Sequence, residues 1–253
     1  MLDLKKNNPH LYLHCTIKKM LMQSELLNQQ GNDKVSLVLL EKAYRLAEKM
    51  ELFSDHETAV RQLENFKRLV WVKKDIHALH ELRESLALKQ YYIESANKKI
   101  DWIESHIDEI KNHAYIRHYL NSILQHLQKK VDAMDSRRYT FLCLLVSSYL
   151  NYASNDRLGA FEKLKKAQQL IRSNQDFYSD DEQFRTLLMR IRCMIHNENV
   201  HHLDKFILKM LFSKRLSFHL KGRLIYMLTD YLLKHPEPLL AYTVLRQINM
   251  LRE

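Results

Sequence analysis

Residues 93–110 read Ile93-Glu94-Ser95-Ala96-Asn97-Lys98-Lys99-Ile100-Asp101-Trp102-Ile103-Glu104-Ser105-His106-Ile107-Asp108-Glu109-Ile110. The apolar residues Ile93, Ala96, Ile100, Ile103, Ile107 and Ile110 follow one another at steps of 3, 4, 3, 4 and 3. Such steps put one stripe on one face of a helix, and Glu94, Asp101, Glu104 and Asp108 fall on another. The same steps recur in Ile116, Leu120, Ile123 and Leu127, and in Leu69, Val72, Ile76 and Leu79. No segment alternates with period two over a useful length, so no strand is expected.

Composition points the same way. The chain of 253 residues holds only 3 glycines and 3 prolines, where average usage is roughly 7% and 5%. Hairpin turns, phosphate-cradling loops and nucleophile elbows need glycine for positive φ or close backbone approach. A chain this poor in glycine builds few of them and is left with helices joined by short polar turns. The expected fold is all-α.

Helix starts can be read from capping residues. Asp33 precedes Val35-Ser36-Leu37, Asp55 precedes Thr58-Ala59-Val60, and Ser136 follows an Ala-Met-Asp break. Asp156 opens the helix from Leu158, Asp180-Asp181 opens the one from Phe184, and Pro236 fits a first helical turn. Pairing these elements gives six helical hairpins: about Leu11–Leu52, Asp55–Lys89, Tyr91–Ala133, Ser136–Ser173, Asp180–Phe212 and Arg215–Arg252. Their starts fall every 35 to 45 residues. With a break placed near Lys73–Asp75, the count comes to about eleven helices. Stacked helix pairs have periods in this range, because no pair can bury all of its apolar surface alone. The whole of 1–253 is expected to form one helical-repeat domain, with a soft subdivision near 134–136.

Two of these hairpins resemble a known family. The stretch Gly31-Asn32-Asp33-Lys34-Val35-Ser36 through Leu40 to Ala43 is similar to the turn and second helix of a tetratricopeptide repeat. Asn155-Asp156-Arg157-Leu158-Gly159-Ala160 through Leu164 to Ala167 is similar again. The order is a Gly-Asp-type turn, a small residue, a large apolar residue four later, and alanine three after that. The preceding helices depart from the family, with Met20, Ser24 and Leu27, and then Leu144, Ser148 and Asn151, at its Trp, small and Tyr positions. The proline usual after the second helix is absent. The resemblance implies a right-handed, curved array of antiparallel helix pairs. It also implies a concave face that binds proteins or peptides.

Charge narrows the partner. The formal net charge is +10, and from Gln183 onward twelve Lys/Arg stand against five Asp/Glu. A basic end attracts an acidic protein, nucleic acid or an anionic surface. Tyr149, Tyr152, Arg185, Arg190 and Arg192 are the candidate binding residues. The first expectation is a non-catalytic scaffold for a protein or peptide, of acidic character. The alternative is a nucleic-acid-associated or regulatory helical protein that uses the basic C-terminal third. Tyr91, Tyr92, Tyr115, Tyr119, Tyr149, Tyr152 and Tyr178, some of them interleaved with Lys98, Lys99, Lys111 and Arg117, are where bases would stack, although tyrosine at helical spacing reads more readily as half-buried packing.

Enzyme chemistry finds little footing. No Gly-x-x-x-x-Gly-Lys loop, dinucleotide fingerprint or Gly-x-Ser-x-Gly elbow is present, so neither a catalytic residue nor a cofactor is expected. Among the 14 histidines, His196, Glu198, His201 and His202 form the densest cluster, yet their spacing matches no familiar zinc set. Asp180-Asp181-Glu182 reads as the acidic first turn of a helix rather than a magnesium site. Cys15, Cys143 and Cys193 each sit in an apolar helical pattern and read as reduced core residues. The longest apolar stretch, Thr140 to Ala153, is too short for a span of about 20 residues and is expected to be a buried helix. With no apolar leader after Met1, a cytoplasmic location is expected.

Overall fold

The computed structural model describes residues 8–67, 76–106, 110, 113–195, 221, 222, 224–226, 228, 229 and 242. Among these every regular element is helical and no strand occurs. The elements are α1 (Pro9–Gln29), α2 (Asp33–Lys49), α3 (Phe53–Lys67), α4 (Ile76–Ser105) and α5 (Ala114–Gln128). After them come α6 (Val131–Met134), α7 (Arg137–Ala153), α8 (Arg157–Ser173), a 3-10 turn (Gln175–Phe177) and α9 (Asp180–Ile195). Nine α-helices are therefore described, against an expected eleven or so. The expected break near Lys73–Asp75 and almost all of the hairpin Arg215–Arg252 lie outside the described residues.

One expected boundary is absent. No turn separates Lys89 from Tyr91, and α4 runs unbroken for 30 residues. Its buried residues Leu79, Leu86, Ile93, Ala96, Ile100 and Ile103 stay in one register throughout. With neither glycine, proline nor a capping residue between 89 and 91, nothing in the chain stops the helix. The second and third expected hairpins thus share one long helix.

Two of the expected caps, Ser136 and Asp156, are where the sequence puts them. Ser136 Oγ accepts from the Tyr139 amide at 3.1 Å, and Asp156 Oδ1 accepts from the Gly159 amide at 2.9 Å. A Cβ on Gly159 would lie 2.1 Å from the Asp156 carboxylate, so this cap requires glycine there. Two aspartates do otherwise. Asp33 is already helical behind Asn32, and Asp55 lies inside the first turn of α3 and is buried.

Sequential helices pack on one another: α1 on α2, α2 on α3, α3 on α4, α7 on α8 and α8 on α9. α4 packs across to α7, α1 also reaches α3, and α7 also touches α5 and α9. Enclosed by α4, α5, α8 and α9, α7 is the centre of the core. Tyr139, Phe141, Leu142, Leu145, Val146 and Tyr149 are all completely buried. Each such aliphatic or aromatic side chain contributes roughly 1.5–3 kcal/mol by leaving water. This is the buried helix expected for Thr140–Ala153. Among the described residues no helix is long and apolar enough to cross a membrane.

Close helix crossings are made by small residues. Ser24 of α1 and Ser36 of α2 are fully buried, and the Ser24 hydroxyl donates to the Ser36 carbonyl at 3.0 Å. Ala43, Ala160 and Ala167 are likewise 0% exposed. A methyl there lets two backbones approach, and a longer side chain would force them apart. Ala167→Leu is expected to overpack the α7–α8 crossing and lower stability by roughly 1–3 kcal/mol. Urea denaturation checks this: an unchanged midpoint would mean that Ala167 does not set the helix spacing.

Candidate functional site

The candidate binding residues fall into two groups. Tyr149 of α7 is completely buried and donates its hydroxyl hydrogen bond to Glu104 of α4. Burial first, and then the Glu104 carboxylate, raise its pKa well above the ordinary tyrosine value, while Arg192 and Arg185 pull it back. Both arginines belong to α9, so Tyr149, Arg185 and Arg192 come together at the α4–α7–α9 junction. Arg185 closes an ion pair with Asp101, whose side chain is 58% exposed, at the solvent edge of the junction.

The other two residues lie elsewhere. Arg190 points toward α8, where Nη1 donates to Gln168 Oε1 at 3.0 Å. Its guanidinium lies 5.9 Å from the centre of the Phe161 ring. Burial and then the Arg172 charge lower its pKa. Tyr152 is buried as well, with 4% of its surface exposed. Neither tyrosine therefore presents a ring face to solvent.

A second polar assembly was not legible as a motif. A cleft of about 240 Å³ lies between α1, the α2–α3 turn, α4 and the start of α7, lined in part by His14, Phe53, Asp55, Glu94 and Arg138. His14 Nε2 lies 2.8 Å from Asp55 Oδ2. Burial raises the Asp55 pKa, and His14 and Lys18 oppose that rise. Beside the cleft, Arg138 Nη2 donates to the Phe177 carbonyl at 2.7 Å and to His10 Nε2 at 3.2 Å. Its Nε makes a longer ionic contact of 3.5 Å with Glu182.

Glu182 also completes a capping box that the sequence does display. In Ser179-Asp180-Asp181-Glu182, the Ser179 amide donates to Glu182 Oε2 at 2.7 Å. The Glu182 amide donates back to Ser179 Oγ at 3.3 Å. The Ser-x-x-Glu spacing is the signal for it in the sequence; Asp180 and Asp181 lie inside the first turn, and Ser179 rather than either of them caps it. Glu182 closes this box, and Asp180 Oδ2 accepts from Asn8 Nδ2 at 3.1 Å.

Cysteine and histidine chemistry is modest here. Cys143 and Cys193 are buried and free, and burial pushes their thiols up to about 12 and about 11. Such thiols are poor nucleophiles near neutrality. Cys15, expected in the core, is exposed on α1, because its position faces away from α2. Among the described residues no three His, Cys, Asp or Glu side chains converge as a metal site requires. His196, Glu198, His201 and His202 lie outside the described residues.

No protein-family model, curated protein or solved structure matches this chain.

The His10 environment has a consequence in solution. Burial, then Arg138 and then His14, hold its pKa down to about 4, from an ordinary 6.5. As pH falls, the unfolded chain takes up this proton first. The stability contributed by neutral His10 is therefore full above about 6.5 and lost progressively toward about 4. Asp55 acts in the opposite sense, so a difference between variants isolates His10. Chemical denaturation across this range should show wild type losing more stability than His10→Gln; parallel losses would contradict the assignment.

Proposed function

We propose that this chain is a non-catalytic, cytoplasmic scaffold of tetratricopeptide-like helix pairs that binds a protein or peptide of acidic character. The observation that carries the reading is the outer stripe of α1. Leu11, Cys15, Met22 and Leu26 follow one another at steps of 4, 7 and 4 on a single face. Leu11 is 41% exposed, Met22 66% and Leu26 55%. The opposite face of α1 carries Ile17, Leu21 and Ser24 into the core. A helix apolar on both faces has a second surface available for a partner. Lys18 and Lys19 flank the stripe and favour an acidic one.

The repeat register supports the same reading. Ser36, Leu40 and Ala43 are buried together, and so are Ala160, Leu164 and Ala167. A family-type crossing would need both sets buried. A stacked array gathers many weak contacts along its length without any loop chemistry.

A pull-down with the double variant Met22→Glu and Leu26→Glu is the direct test. Both side chains are exposed, so melting should be unchanged while the partner retained by wild type is lost. Retention of that partner by a folded double variant would contradict the role given to α1.

A second reading has its own observation. Tyr115 and Tyr119, one turn apart on one face of α5, are 83% and 57% exposed. Exposed aromatic faces at this spacing are a platform for single-stranded nucleic acid. That reading gains if an oligonucleotide binds with steep salt dependence and Tyr115→Ala abolishes it, while the α1 variant changes nothing.

A further inference from the structure

α5 presents two unlike faces. Leu120 and Leu127 are buried on one, where Ile116, Ile123 and Leu124 pack beside them into the core, and the helix lies against α7. On the other, Tyr115, Tyr119, Ser122, His126 and Lys129 follow one another at steps of 4, 3, 4 and 3. All five are exposed. Lys129, the C-cap residue, keeps right-handed helical φ and ψ of −59° and −20°, so it continues the stripe. End to end the stripe is about 21 Å long, at about 1.5 Å per residue.

What this face lacks decides what fits it. The chain holds 30 Asp and Glu, yet α5 carries none, so no carboxylate of its own repels an anion. Arg117 and Lys130 add positive field from outside the stripe; the Lys130 ammonium lies 5.8 Å from the centre of the Tyr92 ring. No aliphatic side chain larger than alanine is exposed on α5 either. The α1 stripe is of the opposite kind, with Leu11, Met22 and Leu26 offering aliphatic surface to a protein. Exposed rings without aliphatic or acidic neighbours on their own helix suit a ligand that is itself both aromatic and anionic. A nucleic-acid strand with unpaired bases is such a ligand. Each base has a π face to lie on a tyrosine or an imidazole, and each phosphate accepts from an ammonium. A duplex hides its base faces, and an acidic peptide supplies charge without the ring.

We propose that the outward face of α5, from Tyr115 to Lys129, is a track for single-stranded nucleic acid, with bases stacked on Tyr115, Tyr119 and His126 and a phosphate on Lys129. This rests on the nucleic-acid reading and extends it from a pair of tyrosines to a surface with a length and a charged end. At about 3.4 Å per stacked nucleotide the track covers about six of them. α5 packs on α7, whereas α1 packs on α2 and α3, so the track and the apolar stripe of α1 are separate surfaces.

The test is an anisotropy titration of the full chain with labelled oligouridylate over a range of salt. Unlabelled oligouridylate, its duplex with oligoadenylate, and oligoglutamate of equal charge serve as competitors. The single strand should displace the label, and the duplex and oligoglutamate should do so far less well. His126→Ala should weaken binding by roughly tenfold, the loss expected for one stacked base. Lys129→Gln should reduce the slope of log affinity against log salt by about 0.7, the share of one phosphate contact on a single strand. Lys34→Gln, which removes an exposed charge on α2, should leave affinity and slope unchanged. All three side chains are exposed, so melting should stay at the wild-type value. If Tyr115→Ala abolishes binding while His126→Ala and Lys129→Gln match wild type, the track is wrong and the nucleic-acid reading stands. If oligoglutamate displaces the label as well as oligouridylate does, the face is a seat for an acidic peptide and the proposal is overturned. Wild type binding no strand at all defeats the track and the nucleic-acid reading together, and leaves the scaffold reading to the α1 variant.

Discussion

The Glu51 carboxylate lies where separated parts of the chain meet. It accepts from Ser136 Oγ at 2.6 Å, from the Arg137 amide at 3.0 Å and from the Arg138 amide at 3.1 Å. These are orphan donors of the α7 N-terminus, where a negative charge is also favoured by the helix dipole. Glu51 reaches them from the turn between α2 and α3, where its own backbone is left-handed at φ 48°. That conformation costs a non-glycine residue of the order of 1 kcal/mol or more, and the bonds to α7 offset it. With the α7 start fixed, Arg138 is placed to bond Phe177 and His10 and to meet Glu182. Asn8 adds a 3.1 Å hydrogen bond to Asp180. The first hairpin is thereby joined to the last described helix.

Scarce glycine shaped how the turns are made. Of the four described residues with positive φ only Gly31 is glycine; the others are Glu51, Asp135 and Asn155. Asp and Asn accept the left-handed region through local hydrogen bonding. Glu51 does so through contacts far away in sequence. The composition therefore excluded glycine-rich loops, yet it did not remove the turns that a helical array needs.

What was legible in the sequence was local. Among the described residues the apolar steps from Ile93 to Ile103 and through Leu120 and Leu127 survive in the structure, and so do the caps at Ser136 and Asp156 and the small residues at Ala43, Ala160 and Ala167. The continuity of α4 was legible too, in the register running through Leu86 and Ile93; a regular hairpin period obscured it. Glu51 and Arg138 were not legible, because their partners lie 39 to 128 residues away. The candidate binding residues are half readable in the sequence. Their positions on helices follow from the sequence, while only the fold decides that Tyr149 faces inward to Glu104 near Arg185 and Arg192, and that Arg190 faces α8. Cys15 is exposed for the same reason, since an apolar residue on α1 can belong to either of its two apolar faces.

The central claim is that the Glu51 junction makes the helices from α1 to α9 one cooperative unit. Native-state hydrogen exchange tests it through the amides of Arg137 and Arg138 and those of the α1 and α2 interiors. In wild type these should exchange with similar opening free energies. In Glu51→Ala the first-turn amides of α7 should lose protection, and the α1–α2 hairpin should begin to open separately from α7–α9. If α1–α2 already opens independently in wild type, or if Glu51→Ala leaves every protection factor unchanged, the junction is not what holds the array together.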